Sequence, residues 1–161
     1  MRIRPAAPLA FTLLTVAACT GASVRDVTPT APVSVAVELS CEASVEAGPL
    51  PGWAQVGFTP PDQPIAHVSG ESGDIVGVIF NDPLDAPPVA DRNNKILWVA
   101  RTGGAPLRIH ATLNGSGLSA DREVEGGPGP STIDMPEAGC WTFALTWGEN
   151  QDHVAVPYAG S

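Results

Sequence analysis

From residue 33 onward, apolar and polar positions alternate in short blocks separated by glycine- and proline-rich stretches. In "VSVAVELSC", Val33, Val35, Val37, Leu39 and Cys41 alternate with Ser34, Ala36, Glu38 and Ser40. That period of two predicts a half-buried strand whose inner face includes Cys41. A short strand is expected over Ala54 to Thr59, inside a region dense in Pro and Gly. "DIVGVIF", 74 to 80, is apolar on both faces and β-branched, which suits a central strand. "KILWVAR", 95 to 101, reads the same way, and the polar run 81 to 94 between them reads as a long loop.

"PLRIHATL" places Leu107, Ile109, Ala111 and Leu113 on one face and Arg108, His110 and Thr112 on the other. Residues 114 to 131 read as another loop. The closing block alternates Trp141, Phe143, Leu145 and Trp147 with Thr142, Ala144 and Thr146. It then turns at Gly148 to Gln151 into Val154, Val156 and Tyr158. This is the strongest hairpin signal in the chain. No stretch of eleven or more residues in this region has convincing helical spacing, and many of the seventeen prolines would interrupt one. The expected fold class is therefore all-β: an antiparallel β-sandwich spanning 33–161.

The N-terminus follows different rules. Arg2 and Arg4 precede an uncharged, mostly apolar run from Pro8 to Ala18, the layout of a secretory signal peptide. As a helix the run would rise only about 16 Å, too little for a hydrocarbon core of roughly 30 Å. The tetrad Val16-Ala17-Ala18-Cys19 resembles the lipobox of bacterial lipoproteins. The resemblance implies removal of residues 1–18 and acylation of Cys19, with palmitate-type chains holding the protein on the outer face of the cell membrane. Residues 19–32 then form the lipidated start and a flexible tether of roughly 20 Å reach. The chain has three cysteines. With Cys19 carrying lipid, Cys41 and Cys140 make one even pair in an oxidising compartment, so a disulfide between them is expected. By alternation, however, Cys140 falls on the face opposite Trp141 and Phe143.

Charge narrows the partners. Removing Arg2 and Arg4 leaves six basic against seventeen acidic residues, a net charge of −11. That opposes binding to nucleic acid, where attraction to phosphate dominates affinity. A single lysine among abundant Ala, Gly and Pro looks like GC-rich coding of the actinobacterial type.

"GCWTFALTWG", preceded by "GPSTIDMPEA" and by "KILWVAR", resembles the closing pattern of uncharacterised bacterial lipoproteins with an immunoglobulin-like domain. The matching residues are Pro136, Gly139 and Trp141, with Trp98 on the central strand, and the similarity covers roughly 68 to 158. It implies a single immunoglobulin-like sandwich and carries no catalytic residue across.

Several residues are candidates for chemistry. His67, His110 and His153 would make a metal site only by converging in space, since none has helical ligand spacing. Surface histidines are the reading adopted, and no metal or cofactor is expected. The loop containing Asn81, Asp82, Asp85, Asp91, Asn93 and Asn94 is rich in oxygen but lacks the register of a calcium loop. There is no Gly-x-Ser-x-Gly elbow, and Asp121, Glu123 and Glu125 read as a solvated face. Trp98 and Trp141 are assigned to the core. Trp53, in a loop, and Trp147, at a turn, are the candidate ligand-facing aromatics. These readings lead to a non-enzymatic binding or assembly module facing an envelope protein or glycan. The alternatives are a hydrolase with a non-consensus acidic site and a solute- or metal-capture protein.

Overall fold

Ten strands in two five-stranded sheets account for the regular structure of the computed structural model, which describes residues 37–55, 57–58, 60 and 62–161. The signal peptide 1–18, Cys19, the tether 19–32 and the start of the predicted first strand, 33–36, lie outside the described residues. The first sheet holds β1 (Val45–Gly48), β2 (Ile65–Ser69), β3 (Ile75–Ile79), β5 (Lys95–Ala100) and β8 (Pro130–Thr132), in that order. The second has the order β4 (Leu84–Ala86), β10 (Asn150–Gly160), β9 (Gly139–Trp147), β6 (Leu107–Leu113) and β7 (Ser119–Val124). Every pairing is antiparallel except β4 with β10, which run parallel.

The two sheets share one apolar group. Val68, Ile75, Ile96 and Trp98 of the first sheet pack with Ile109, Trp141, Phe143, Leu145 and Val156 of the second. Alternation delivers this: in β6 the odd positions are buried, while Arg108 and His110 are exposed. β3 is buried along its whole length for a separate reason. Its residues Val76 and Val78 face away from the shared core. There they are covered by Leu50 and Ala54, with Trp53, Phe58 and Ile65 packed around them. The both-sided apolar pattern of "DIVGVIF" therefore reports a second small core.

Five sequence expectations need correction. Residues 37–41 are not a strand, and Val37 is 48% exposed. Leu39 meets its backbone hydrogen-bonding needs through side chains: its N–H donates to Thr142 Oγ1 (2.8 Å), and its carbonyl accepts from Asn114 Nδ2 (2.6 Å). Segment 54–59 has no described strand; Gly52–Ala54 is a 3₁₀ turn that folds Ala54 onto β3. The loop 81–94 contains β4, which adds to the edge of β10. The loop 114–131 contains β7 and β8, and the final turn tightens to Gly148 and Glu149, since Asn150 already pairs with Trp147.

Buried polar residues join the sheets. Asn94, at the start of β5, donates to the Asp85 carbonyl (2.9 Å) and to Asp134 Oδ1 (2.8 Å), and accepts from the Asp85 N–H (2.8 Å). Tyr158 donates its hydroxyl to the Ile133 carbonyl (2.6 Å). Burial, reinforced by the nearby Asp134 charge, drives that phenol well above its ordinary pKa. One donor is left over. Trp98 Nε1 is buried with no hydrogen-bond partner, whereas Trp141 Nε1 donates to the Glu137 carbonyl (3.0 Å). An unpaired buried donor carries its desolvation cost uncompensated. Trp98→Phe removes that orphan, whereas Trp141→Phe discards a made bond. We expect Trp98→Phe to be the milder change by about 1 kcal/mol in urea unfolding; equal losses would contradict it.

Candidate functional site

The face of the second sheet turned away from the shared core collects most of the chemistry described by the sequence. Strand register arranges it in rows. Asp121 of β7, His110 of β6, Ala144 of β9 and His153 of β10 lie side by side. The next row is Glu123, Arg108, Thr146 and Gln151, and a third holds Ser119, Thr112, Thr142 and Ala155.

A histidine–carboxylate hydrogen bond and an ion pair cross from β6 to β7. His110 Nδ1 lies 2.7 Å from Asp121 Oδ1, and Arg108 Nε lies 3.3 Å from Glu123 Oε2. All four side chains are exposed, so water and salt screen them, and such pairs are worth about 0–1 kcal/mol. Their stabilising value is small, and their polar ends remain open to an arriving group. Ala144, a short side chain between long neighbours, leaves an open depression of about 500 Å³. Its sides are Arg108, His110, Asp121 and Glu123, with Thr146 at one end.

The aromatic candidates behave differently from expectation. Trp147 is not ligand-facing: it is 1% exposed, sits in the shared core, and donates Nε1–H to the Thr102 carbonyl (2.8 Å). It is the last residue of β9 on the core side of the alternation, and proximity to the turn does not bring it out. Trp53 is half-buried on the far side of the first sheet, against the Leu50, Val76 and Val78 group. The Arg101 guanidinium stacks 4.6 Å from its ring centroid, and Arg101 is in turn held by Asp74 and the Gly73 carbonyl. The two tryptophans do not form a shared platform.

The three histidines are dispersed. His67 is buried in β2, its Nδ1 bonded to the Ile65 carbonyl (2.8 Å), while His110 and His153 lie in the second sheet. Among the described residues, no group of three or more His, Cys, Asp or Glu is placed to hold a metal ion. In the oxygen-rich segment, Asn81 donates to the Asn93 carbonyl and Asp85 pairs with Arg92 at 3.3 Å. These groups hold the β4 region together.

Cys41 and Cys140 form a disulfide across 99 residues of sequence. Its place differs from the expectation that Cys41 faces inward. Cys140 follows the outward side of β9, and residues 37–44 cross that same side to meet it. The apparent conflict between Cys140 and the alternation of Trp141 and Phe143 thus disappears: the bond lies outside the shared core.

The missed residues are those of β7. Their signal was present, since Ala120, Arg122 and Val124 are half-buried and Asp121 and Glu123 are exposed. A charged residue on the inner side concealed that period. Arg122 keeps its head satisfied at the sheet edge, donating to the carbonyls of Asp121 and Asp134.

No protein-family model, curated protein or solved structure matches this chain.

Proposed function

We propose that the chain is an exported bacterial envelope protein, anchored through lipid on Cys19, whose two-sheet domain is an immunoglobulin-like sandwich that acts by binding rather than by catalysis. The observation that carries the reading is the Cys41–Cys140 disulfide, because such bonds persist in oxidising compartments outside the cytoplasm. The binding surface is the depression on the second sheet. Its open mouth, with a mainly apolar lining rimmed by Arg108, His110, Asp121 and Glu123, suits a macromolecular partner, an envelope protein or a glycan, more than an enclosed small molecule.

Expression of the full chain in a lipoprotein-exporting bacterium tests both halves. Mass spectrometry is expected to find an N-terminal acylated Cys19; an unprocessed Met1 would overturn the export reading. In pull-downs against envelope protein and glycan fractions, the double variant Arg108→Ala/His110→Ala is expected to lose a partner the parent retains. Its unfolding free energy is expected to stay within about 1 kcal/mol of the parent. Equal retention by both proteins would remove the depression from consideration.

A second reading is favoured by the His110–Asp121 contact. A carboxylate on Nδ1 orients an imidazole for proton transfer through Nε2, and Thr146 offers a nearby hydroxyl in the same depression. A hydrolytic activity lost in Asp121→Asn with the fold intact would move the assignment from binding module to enzyme.

A further inference from the structure

Residues 37–44 make no strand pairing, and none of them belongs to either apolar group. They lie against the outward side of the second sheet and are held at a few points. Leu39 is clasped by Thr142 and Asn114, whose side chains are bonded to each other at 2.9 Å. The Glu38 carboxylate accepts the Gly115 N–H at 3.0 Å. The remaining attachment to this face is covalent, from Cys41 to Cys140. Immobilising eight residues costs backbone entropy that so few hydrogen bonds repay poorly. The disulfide is thus the decisive fastening. Both half-cystines are only half-buried, so a reductant has access.

We infer that residues 37–44 form a redox-sensitive strap over the second sheet: reduction of Cys41–Cys140 releases it while both sheets remain folded. The reductant is an external dithiol. One of its thiolates attacks a cystine sulfur, forming a mixed disulfide and freeing one cysteine. Its second sulfur then displaces the other cysteine. The dithiol ends as its own disulfide, and two electrons and two protons are left on Cys41 and Cys140. Release uncovers Thr142 and Asn114. Thr142 lies two residues along β9 from Ala144, on the same side, so the open face lengthens directly from the depression. Nothing in the inference depends on which partner that face binds.

The sheets have independent means of staying together. Among the described residues, all strand pairs and the shared core arise from residues 45–160. Loss of the cross-link lowers global stability through the unfolded chain without removing any of those contacts.

The full-length protein, oxidised or treated with dithiothreitol and alkylated, is digested with a glutamate-specific protease. Near-ultraviolet circular dichroism follows the buried tryptophans in parallel. Cleavage after Glu38 and Glu42 is expected to accelerate at least tenfold on reduction, with the tryptophan signal kept and the remainder of the domain resistant. The double variant Cys41→Ser/Cys140→Ser is expected to show the same cleavage without reductant. Loss of the tryptophan signal on reduction, or a strap still resistant after complete alkylation, would overturn the inference.

Discussion

Trp147→Ala is expected to lower the unfolding free energy by about 3–5 kcal/mol, the range for emptying a large aromatic site in a packed core. Trp147 is among the largest fully buried side chains, and it belongs to the apolar group that the two sheets share. Its indole N–H also anchors the Thr102 carbonyl beyond the end of β5, so truncation loses a hydrogen bond as well as volume. A typical domain has only about 5–15 kcal/mol in hand, so the variant should unfold at markedly lower urea with the disulfide intact. Circular dichroism during urea titration measures this. A loss below about 1 kcal/mol would mean that the ring is dispensable to the core.

Asp152→Ala comes next, at about 2–3 kcal/mol, for an electrostatic reason. The Asp152 carboxylate is buried in β10 and reaches across to the β2–β3 loop of the other sheet. It accepts the Ser72 N–H at 2.9 Å and the His153 N–H at 2.8 Å, with the Asp74 N–H more distant at 3.4 Å. Gly70 lies against the same carboxylate, and a β-carbon there would collide with Asp152 Oδ2. Gly70→Ala must therefore displace the carboxylate from the amides it serves. The two changes should be non-additive: Gly70→Ala is expected to be costly alone and nearly neutral in the Asp152→Ala background. A coupling energy of at least about 1.5 kcal/mol in a double-mutant cycle is the expected result. Additive losses would show that the close approach relaxes without disturbing the loop.

Where one face of a strand is buried and the other solvated, alternation was sufficient to read the element. β6 and β9 are the clearest cases, and the hairpin joining β9 to β10 follows from the same pattern, although its turn is two residues shorter than the pattern predicted. β3 was legible as a central strand, although the reason for its second apolar face is the Leu50–Ala54 segment folded over it. β1, β2, β4, β7 and β8 escaped detection, and four of them, β1, β4, β7 and β8, are edge strands. With one neighbour each and, in β4 and β8, three residues, their stability comes from the strand they join rather than from their own propensity. The segment 37–41 failed in the opposite direction. Its alternation imitates a strand, yet its backbone partners are the side chains of Thr142 and Asn114.

The candidate site divides in the same way. Arg108 and His110 were readable as outward residues of one strand, but their partners Asp121 and Glu123 required the β6–β7 register. Trp147 looked exposed because it adjoins a turn, and the depth of the core decided otherwise.

Composition and period were enough to establish an all-β chain and the outward side of β9, because each depends only on neighbours along the strand. Cysteine counting paired Cys41 with Cys140 on the expectation that Cys19 carries lipid, and these two cysteines are bonded. Edge strands, sheet order, the strap and the charged depression were decided by tertiary structure alone. Each of these joins residues separated along the chain, and hydrogen-bond register and burial set such contacts only when the sheets come together.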